Sequence, residues 1–201
     1  RARPSAAFEG SMVARLASDS GATAVALICT ANDYTLGVCA SIARDLGDRV
    51  VVRQEVLPEE ADFRTIITKL RGARPSHIIP ILMPGKVGLF ARQVREAKID
   101  AQLVGGAYFE SSTAVENSAG AMRGAKYVMV DVDPAFRAKY DALPSASPGA
   151  IGWSASFYDI RQLVCLSETT PLQGVPPIER RMEIGFCSCP SFRKLSPRQD
   201  L

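Results

Sequence analysis

Along the first 130 positions, short runs of apolar residues alternate with segments in which apolar residues recur at helical spacing. Short runs of consecutive apolar residues, at 24–28, 50–52 and 78–82, predict buried strands. Between them, apolar residues recur at helical spacing, most regularly at Phe63, Ile66, Ile67 and Leu70, where Asp62 is placed to cap the helix. Strands that alternate with amphipathic helices predict an α/β fold, a Rossmann-like, mostly parallel sheet with helices on both faces.

Further elements are predicted at both ends of this region. Phe8, Met12 and Leu16 fall on one face of a first helix. Pro80 lies inside the strand "HIIPILM" and predicts irregular pairing there, because proline has no amide hydrogen. The stretches "AQLVGGA" and "KYVMVDV" predict two more short strands, and "SSTAVENSAG" between them predicts a short helix.

The chain changes character after about residue 150. We predict an α/β lobe over residues 1–150, a helix over 151–170 and an irregular, Pro-rich tail over 171–201. The helix over 151–170 carries one apolar face, formed by Trp153, Phe157, Ile160 and Val164.

In a parallel sheet, the loops that leave the carboxyl ends of the strands gather at one edge, where such folds bind ligands. Six residues are predicted to lie at this edge: Asp33, Tyr34, Met83, Pro84, Ala107 and Tyr108.

Composition excludes several classes of function. The chain has 24 Lys and Arg against 21 Asp and Glu, and its net charge of +3 is scattered, which argues against a nucleic-acid partner. No apolar run reaches the roughly 18 to 20 residues that a membrane-spanning helix needs. The five cysteines lack framework spacing, so Cys29 and Cys39 are expected to be small core residues, and the redox compartment stays open.

No catalytic constellation stands out. The turn "CTANDYTLG" has no glycine before Gly37, so it lacks the dinucleotide-binding motif. His77 is the only histidine and is predicted to open a strand, at the edge opposite the ligand-binding loops. Cys187 and Cys189 have no further metal ligands nearby. We therefore predict a protein that is not an enzyme and that has no cofactor and no metal.

The order of several motifs resembles the branched-chain amino-acid binding proteins of ABC transporters, which have the type I periplasmic binding fold. The motifs are "VALICTANDYTLG", "VVVRQEVLPEEADFRTIITKL", "SHIIPILMPGKVGLFARQVREAKIDAQLVGG", "FRAKYDAL" and "WSASFYDIRQL". The resemblance implies a periplasmic protein whose two lobes close on a small solute and then dock on a membrane permease. It aligns this chain with the second lobe and the crossing helix, so that the first lobe would precede Arg1.

The resemblance also assigns roles to individual residues. Tyr34 matches a tyrosine that lines the cleft and contacts the ligand, and the aromatic cleft positions of the family fall at Met83 and Pro84. The carboxylate that holds the ammonium of the ligand falls at Ala107, and Glu110 is the nearest candidate to replace it. Without that carboxylate, an uncharged or anionic solute, such as an aromatic acid or amide, is as plausible as an amino acid.

Two functions remain open on these residues. The leading hypothesis is a solute-binding lobe of ABC-transporter type, and the alternative is a ligand-sensing regulatory domain that acts on a protein partner. If the first lobe is absent, the apolar face of the helix over 151–170 is left without its partner and predicts a homo-oligomer.

Overall fold

The computed structural model describes residues 5–129 and 134–144. Residues 5–129 belong to one compact unit, and residues 134–144 belong to a second. The helix predicted over 151–170, its apolar face and the tail over 171–201 lie outside the described residues. The domain boundary at residue 150 therefore stays a prediction.

The first unit alternates helices and strands in chain order. Its elements are α1 (Ala6–Asp19), β1 (Val25–Thr30), α2 (Asp33–Leu46), β2 (Val50–Val56), α3 (Arg64–Ala73), β3 (His77–Ile81), α4 (Pro84–Glu96), β4 (Gln102–Gly105), α5 (Ser112–Ser118) and β5 (Lys126–Tyr127). Two 3-10 turns, Gly47–Arg49 and Ala107–Glu110, follow α2 and β4. In the second unit, α6 covers Pro134–Asp141.

The five strands form one sheet in the order β2-β1-β3-β4-β5, and every neighbouring pair is parallel. All six residues of β1 are buried, because their side chains point alternately into two cores. Ala26 and Ile28 pack with α3, α4 and α5, whereas Val25, Leu27 and Cys29 pack with α1 and α2. The predicted α/β sheet with helices on both faces is confirmed.

Pro80 shows how a proline fits inside a central strand. The amide of His77 donates to the Ala24 carbonyl, on the β1 side, so Ile78 and Pro80 direct their backbone polar groups toward β4. Pairing between β3 and β4 is limited to His77 with Gln102 and Ile78 with Leu103. The missing amide hydrogen of Pro80 therefore falls where this pairing has already ended.

Two local predictions need correction. The buried face of α1 consists of Gly10, Val13, Ala14 and Ala17, whereas Phe8 is 58% exposed. Helix α3 begins one residue later than a cap at Asp62 requires, with Phe63 as its N-cap, although Asp62 Oδ1 still accepts a hydrogen bond from the Arg64 amide at 3.1 Å.

The face of α1 is set by close packing on α2. A Cβ atom at Gly10 would lie 2.4 Å from the Val38 carbonyl oxygen and 2.6 Å from Ser41 Cβ, both on α2. Because only glycine allows this approach, the small residues of α1 face α2 and the larger Phe8 faces away. A pattern that counts only large apolar residues therefore misses the small residues of the buried face, although Leu16 packs at the margin of the core.

Replacing Gly10 by alanine is expected to lower the free energy of unfolding by about 1 to 3 kcal/mol, because the added methyl group overpacks the contact between α1 and α2. Gly72→Ala is the matched control, since nothing lies within 4 Å of a Cβ at Gly72 on α3. The free energy of unfolding of that variant is expected to rise by about 0.5 to 1 kcal/mol, because alanine favours a helix more than glycine does. Urea unfolding of both variants checks this, and a Gly10→Ala variant as stable as the parent chain would contradict the packing.

Candidate functional site

The loop between β1 and α2 is held by its own polar side chains. Asn32 Oδ1 accepts a hydrogen bond from the Thr35 amide at 3.0 Å and so caps α2, while Thr35 Oγ1 donates to the Thr30 carbonyl at 2.5 Å. These bonds fix the first turn of α2. Asp33 and Tyr34, in that turn, are exposed.

The loop after β3 meets this first loop. Met83 is 37% exposed and precedes Pro84, the first residue of α4, a position where the missing amide hydrogen of proline costs nothing. Asn32 Nδ2 lies 3.8 Å from Met83 Sδ. From the adjacent strands β1 and β3, the chain runs in opposite directions across the sheet, to β2 on one side and to β4 on the other. Open α/β sheets place their ligand crevice at this point.

The loop after β4 joins the edge through a carboxylate on α1. Glu9 Oε1 accepts a hydrogen bond from the Ala107 amide at 3.3 Å, and Glu9 Oε2 accepts one from the Tyr34 hydroxyl. A Cβ at Gly106 would lie 2.3 Å from Glu9 Oε1, so a larger residue there would displace the carboxylate from this position. The rings of Tyr34 and Tyr108 lie 6.5 Å apart with an interplanar angle of 55°.

The structure thus brings the six predicted residues to one edge. Tyr34 and Ala107 both donate to Glu9, and the Tyr108 ring lies beside that of Tyr34. Met83 contacts Asn32, and Asp33 and Pro84 begin the helices α2 and α4. Their role in binding a ligand stays a prediction. We call Glu9, Tyr34, Ala107 and Tyr108 the carboxylate cluster.

Sequence reasoning missed Glu9. The carboxylate that contacts the Ala107 backbone comes from a residue 98 positions earlier in the chain, not from Glu110, the replacement considered above. The position of Glu9 could have been predicted from the fold, because a helix that precedes a parallel strand starts at the carboxyl edge of the sheet. The first turn of α1, which contains Glu9, is therefore expected beside the loops.

A disulfide joins the end of β1 to α2. Cys29 and Cys39 are fully buried, as predicted, but they are bonded to each other, with Cα atoms 6.5 Å apart. This distance lies in the usual range for disulfides. The pairing was not predicted because spacing alone does not show that position 39 on α2 faces position 29 on the sheet. The bond closes the loop that carries Asn32 and Tyr34.

Reducing this disulfide is expected to lower the free energy of unfolding by about 2 to 3 kcal/mol, because the unfolded chain regains the freedom of a closed loop with a sequence separation of 10. The measurement is urea unfolding with and without dithiothreitol. The Cys29→Ala/Cys39→Ala double variant keeps Cys165, Cys187 and Cys189 and is the control, expected to be insensitive to dithiothreitol. Equal stability of the oxidised and reduced parent chain would contradict the assignment.

His77 lies at the opposite, amino-terminal edge of the sheet, as predicted. Its ring nitrogens lie within hydrogen-bonding distance of two hydroxyl groups, with Nε2 3.1 Å from Ser20 Oγ and Nδ1 3.0 Å from Ser76 Oγ. Burial of the imidazole lowers the pKa of His77 below its ordinary value, and the positive charge of Lys126 acts in the same direction. Because His77 lies at the amino-terminal edge of the sheet, it is remote from the carboxylate cluster at the carboxyl edge.

This lowered pKa predicts a pH-dependent stability. Below about pH 6.5 the unfolded chain protonates His77 while the folded chain resists protonation, so stability falls as pH drops through this range and is fully present above it. Because the chain has a single histidine, one imidazole proton NMR signal reports the titration. We expect its midpoint below 6.5 in the folded chain and near 6.5 in urea; a folded midpoint at or above 6.5 would contradict the buried environment.

The part of the chain that the structure describes contains no group of three or more His, Cys, Asp or Glu side chains placed to hold a metal ion. Within the same residues, no helix combines the length and apolar character that crossing a bilayer requires.

Comparison with known proteins identifies the fold. No family model matches the sequence, and no curated protein matches it. Among solved structures, a putative branched-chain amino-acid ABC transporter protein from Rhodospirillum rubrum is similar, with a TM-score of 0.69 and 24% identity over 82% of this chain and 51% of that one.

Two further structures were solved with ligands. A branched-chain amino-acid transporter substrate-binding protein from Streptococcus pneumoniae, in complex with isoleucine, has a TM-score of 0.67 and 22% identity over 81% of this chain and 49% of that one. A solute-binding protein of an ABC transporter from R. palustris, in complex with benzoate, has a TM-score of 0.61 and 14% identity over 76% of this chain and 46% of that one.

This chain spans about half the length of each of these proteins. The likeness confirms the fold that the sequence resemblance predicted. The chain has the α/β fold of the type I periplasmic binding proteins, over about half of their length.

Proposed function

We propose that this chain is a solute-binding lobe of ABC-transporter type, and that a small organic solute binds at the carboxyl ends of β1, β3 and β4. The observation that carries the proposal is the convergence of three loops around Tyr34 at the point where the strand order diverges. The solved structures of the same fold include proteins bound to isoleucine and to benzoate, which are solutes of suitable size.

In this proposal the lobe is not an enzyme. The similar structures are binding proteins, and the predicted site residues bind and orient a solute without transforming it. Tyr34 and Tyr108 supply aromatic surface, and Met83 supplies an adaptable apolar contact. A second lobe would cover the solute, and the closed pair would dock on a permease.

The disulfide supports a location outside the cytoplasm. Disulfides persist in oxidising compartments, such as the periplasm, and are rare where thiols are kept reduced. The Cys29–Cys39 bond is therefore in keeping with a periplasmic protein.

Solute binding is tested by titrating the ¹⁵N-labelled 201-residue chain with leucine, isoleucine and benzoate, each to 20 mM. We expect at least one of these solutes to shift the backbone amide signals of Thr35, Gly106 and Ala107. The amides of Ser20, Ser76 and His77, at the opposite edge, are the internal control and are expected to stay unchanged. No shift at the carboxyl edge with any solute, or shifts only at the opposite edge, would overturn the proposal.

Tyr34→Ala is expected to weaken binding of the solute that shifts these amides about fivefold, because it removes an aromatic contact worth on the order of 1 kcal/mol. The matched control is Val51→Ala, a truncation of a side chain that is 50% exposed on the edge strand β2. Equal affinity of the Tyr34→Ala variant and the parent chain would show that Tyr34 does not line the site.

A further inference from the structure

The Glu9 carboxylate occupies the candidate site without a charged partner among the described residues. Its two observed hydrogen-bond donors, the Tyr34 hydroxyl and the Ala107 amide, are both neutral. None of the ion pairs within the described residues includes Glu9, although the chain forms several on its surface. Within residues 5–129 and 134–144, the negative charge at this edge is therefore oriented by neutral groups and not neutralised by a cation.

The carboxylate is held by one donor on each oxygen. The Ala107 amide donates to Oε1 and the Tyr34 hydroxyl donates to Oε2, while Gly106 leaves room for Oε1 beside the backbone. A carboxylate has about four acceptor positions, and the two donors use one on each oxygen. Acceptor capacity remains at a half-buried position beside the rings of Tyr34 and Tyr108.

We infer that Glu9 determines the charge of the solute: it binds a positively charged group, such as an ammonium, and disfavours a carboxylate at the same place. The inference rests on the proposed function and makes it more specific. It reverses the expectation from the sequence, in which Ala107 left the site without a carboxylate and an uncharged or anionic solute was equally plausible. The carboxylate is present, but it is supplied by α1.

A purely structural role for Glu9 makes a different prediction. If the side chain only braces α1 against the turn at Ala107–Glu110, glutamine serves as well. Its amide oxygen can accept from the Ala107 amide, and its NH2 group can donate to the Tyr34 hydroxyl oxygen. Such a brace has no effect on which solute charge is preferred. A specific loss of affinity for cationic solutes in Glu9→Gln therefore separates the two roles.

The experiment compares three solutes that share one branched alkyl chain. Leucine carries both an ammonium and a carboxylate, 3-methylbutylamine carries only the ammonium, and 4-methylpentanoate carries only the carboxylate. Amide-shift titrations of the 201-residue chain give an affinity for each. We expect the two ammonium-bearing solutes to bind at the carboxyl edge, and 4-methylpentanoate to bind at least tenfold more weakly than 3-methylbutylamine.

Glu9→Gln is expected to weaken binding of leucine and 3-methylbutylamine at least tenfold and to leave binding of 4-methylpentanoate unchanged or tighter. Asp19→Asn is the matched control, because it removes one negative charge from the exposed far end of the same helix. It is expected to change each affinity less than twofold. Unfolding curves of both variants show whether either substitution alters the fold.

The outcomes separate this inference from the proposed function. If 4-methylpentanoate binds as tightly as 3-methylbutylamine, or if Glu9→Gln binds the amine as tightly as the parent chain, the inference is wrong while the edge remains a solute site. If none of the three solutes shifts an amide at the carboxyl edge, the inference about Glu9 is wrong. Binding of benzoate at that edge would then still support the proposed function.

Discussion

The central constraint on this lobe is the burial of β1 between two layers of helices. Its side chains alternate between two cores, so every residue from Val25 to Cys29 is apolar and fully buried. A strand covered on both faces can meet polar groups only at its ends. The amino-terminal end is closed by the hydrogen bonds of Ser76, Ser20 and His77, and the carboxyl end opens into the loop that carries Asn32 and Tyr34.

The carboxyl end differs from the amino-terminal end in what its polar groups do. At the amino-terminal end, hydroxyl groups and the His77 imidazole satisfy one another and the backbone. At the carboxyl end, the Tyr34 hydroxyl of α2 and the Ala107 amide after β4 both donate to the Glu9 carboxylate of α1, and neither of these donors carries a charge. Geometry and charge thus favour the same edge for a ligand.

Much of the fold could be predicted from the sequence because its strongest signals are periodic. Phe63, Ile66, Ile67 and Leu70, whose spacing predicts a helix, are buried at and within α3. The ring of Phe63 packs edge to face on Phe90 of α4 at 5.1 Å. The buried face of α1 could not be predicted in the same way, since it depends on Gly10 and its close approach to α2. The edge that carries Tyr34 could be predicted because the loops at the carboxyl ends of parallel strands gather on one side. The roles of Glu9 and of the Cys29–Cys39 pair depend on which distant residues meet in three dimensions, which local patterns do not contain.

The most direct measurement is a crystal structure of the oxidised chain soaked with leucine. We expect leucine at the carboxyl ends of β1, β3 and β4, with its ammonium within hydrogen-bonding distance of Glu9 and its side chain against Tyr34. Leucine bound at any other edge of the sheet, or at this edge with its carboxylate rather than its ammonium toward Glu9, would contradict the proposed site.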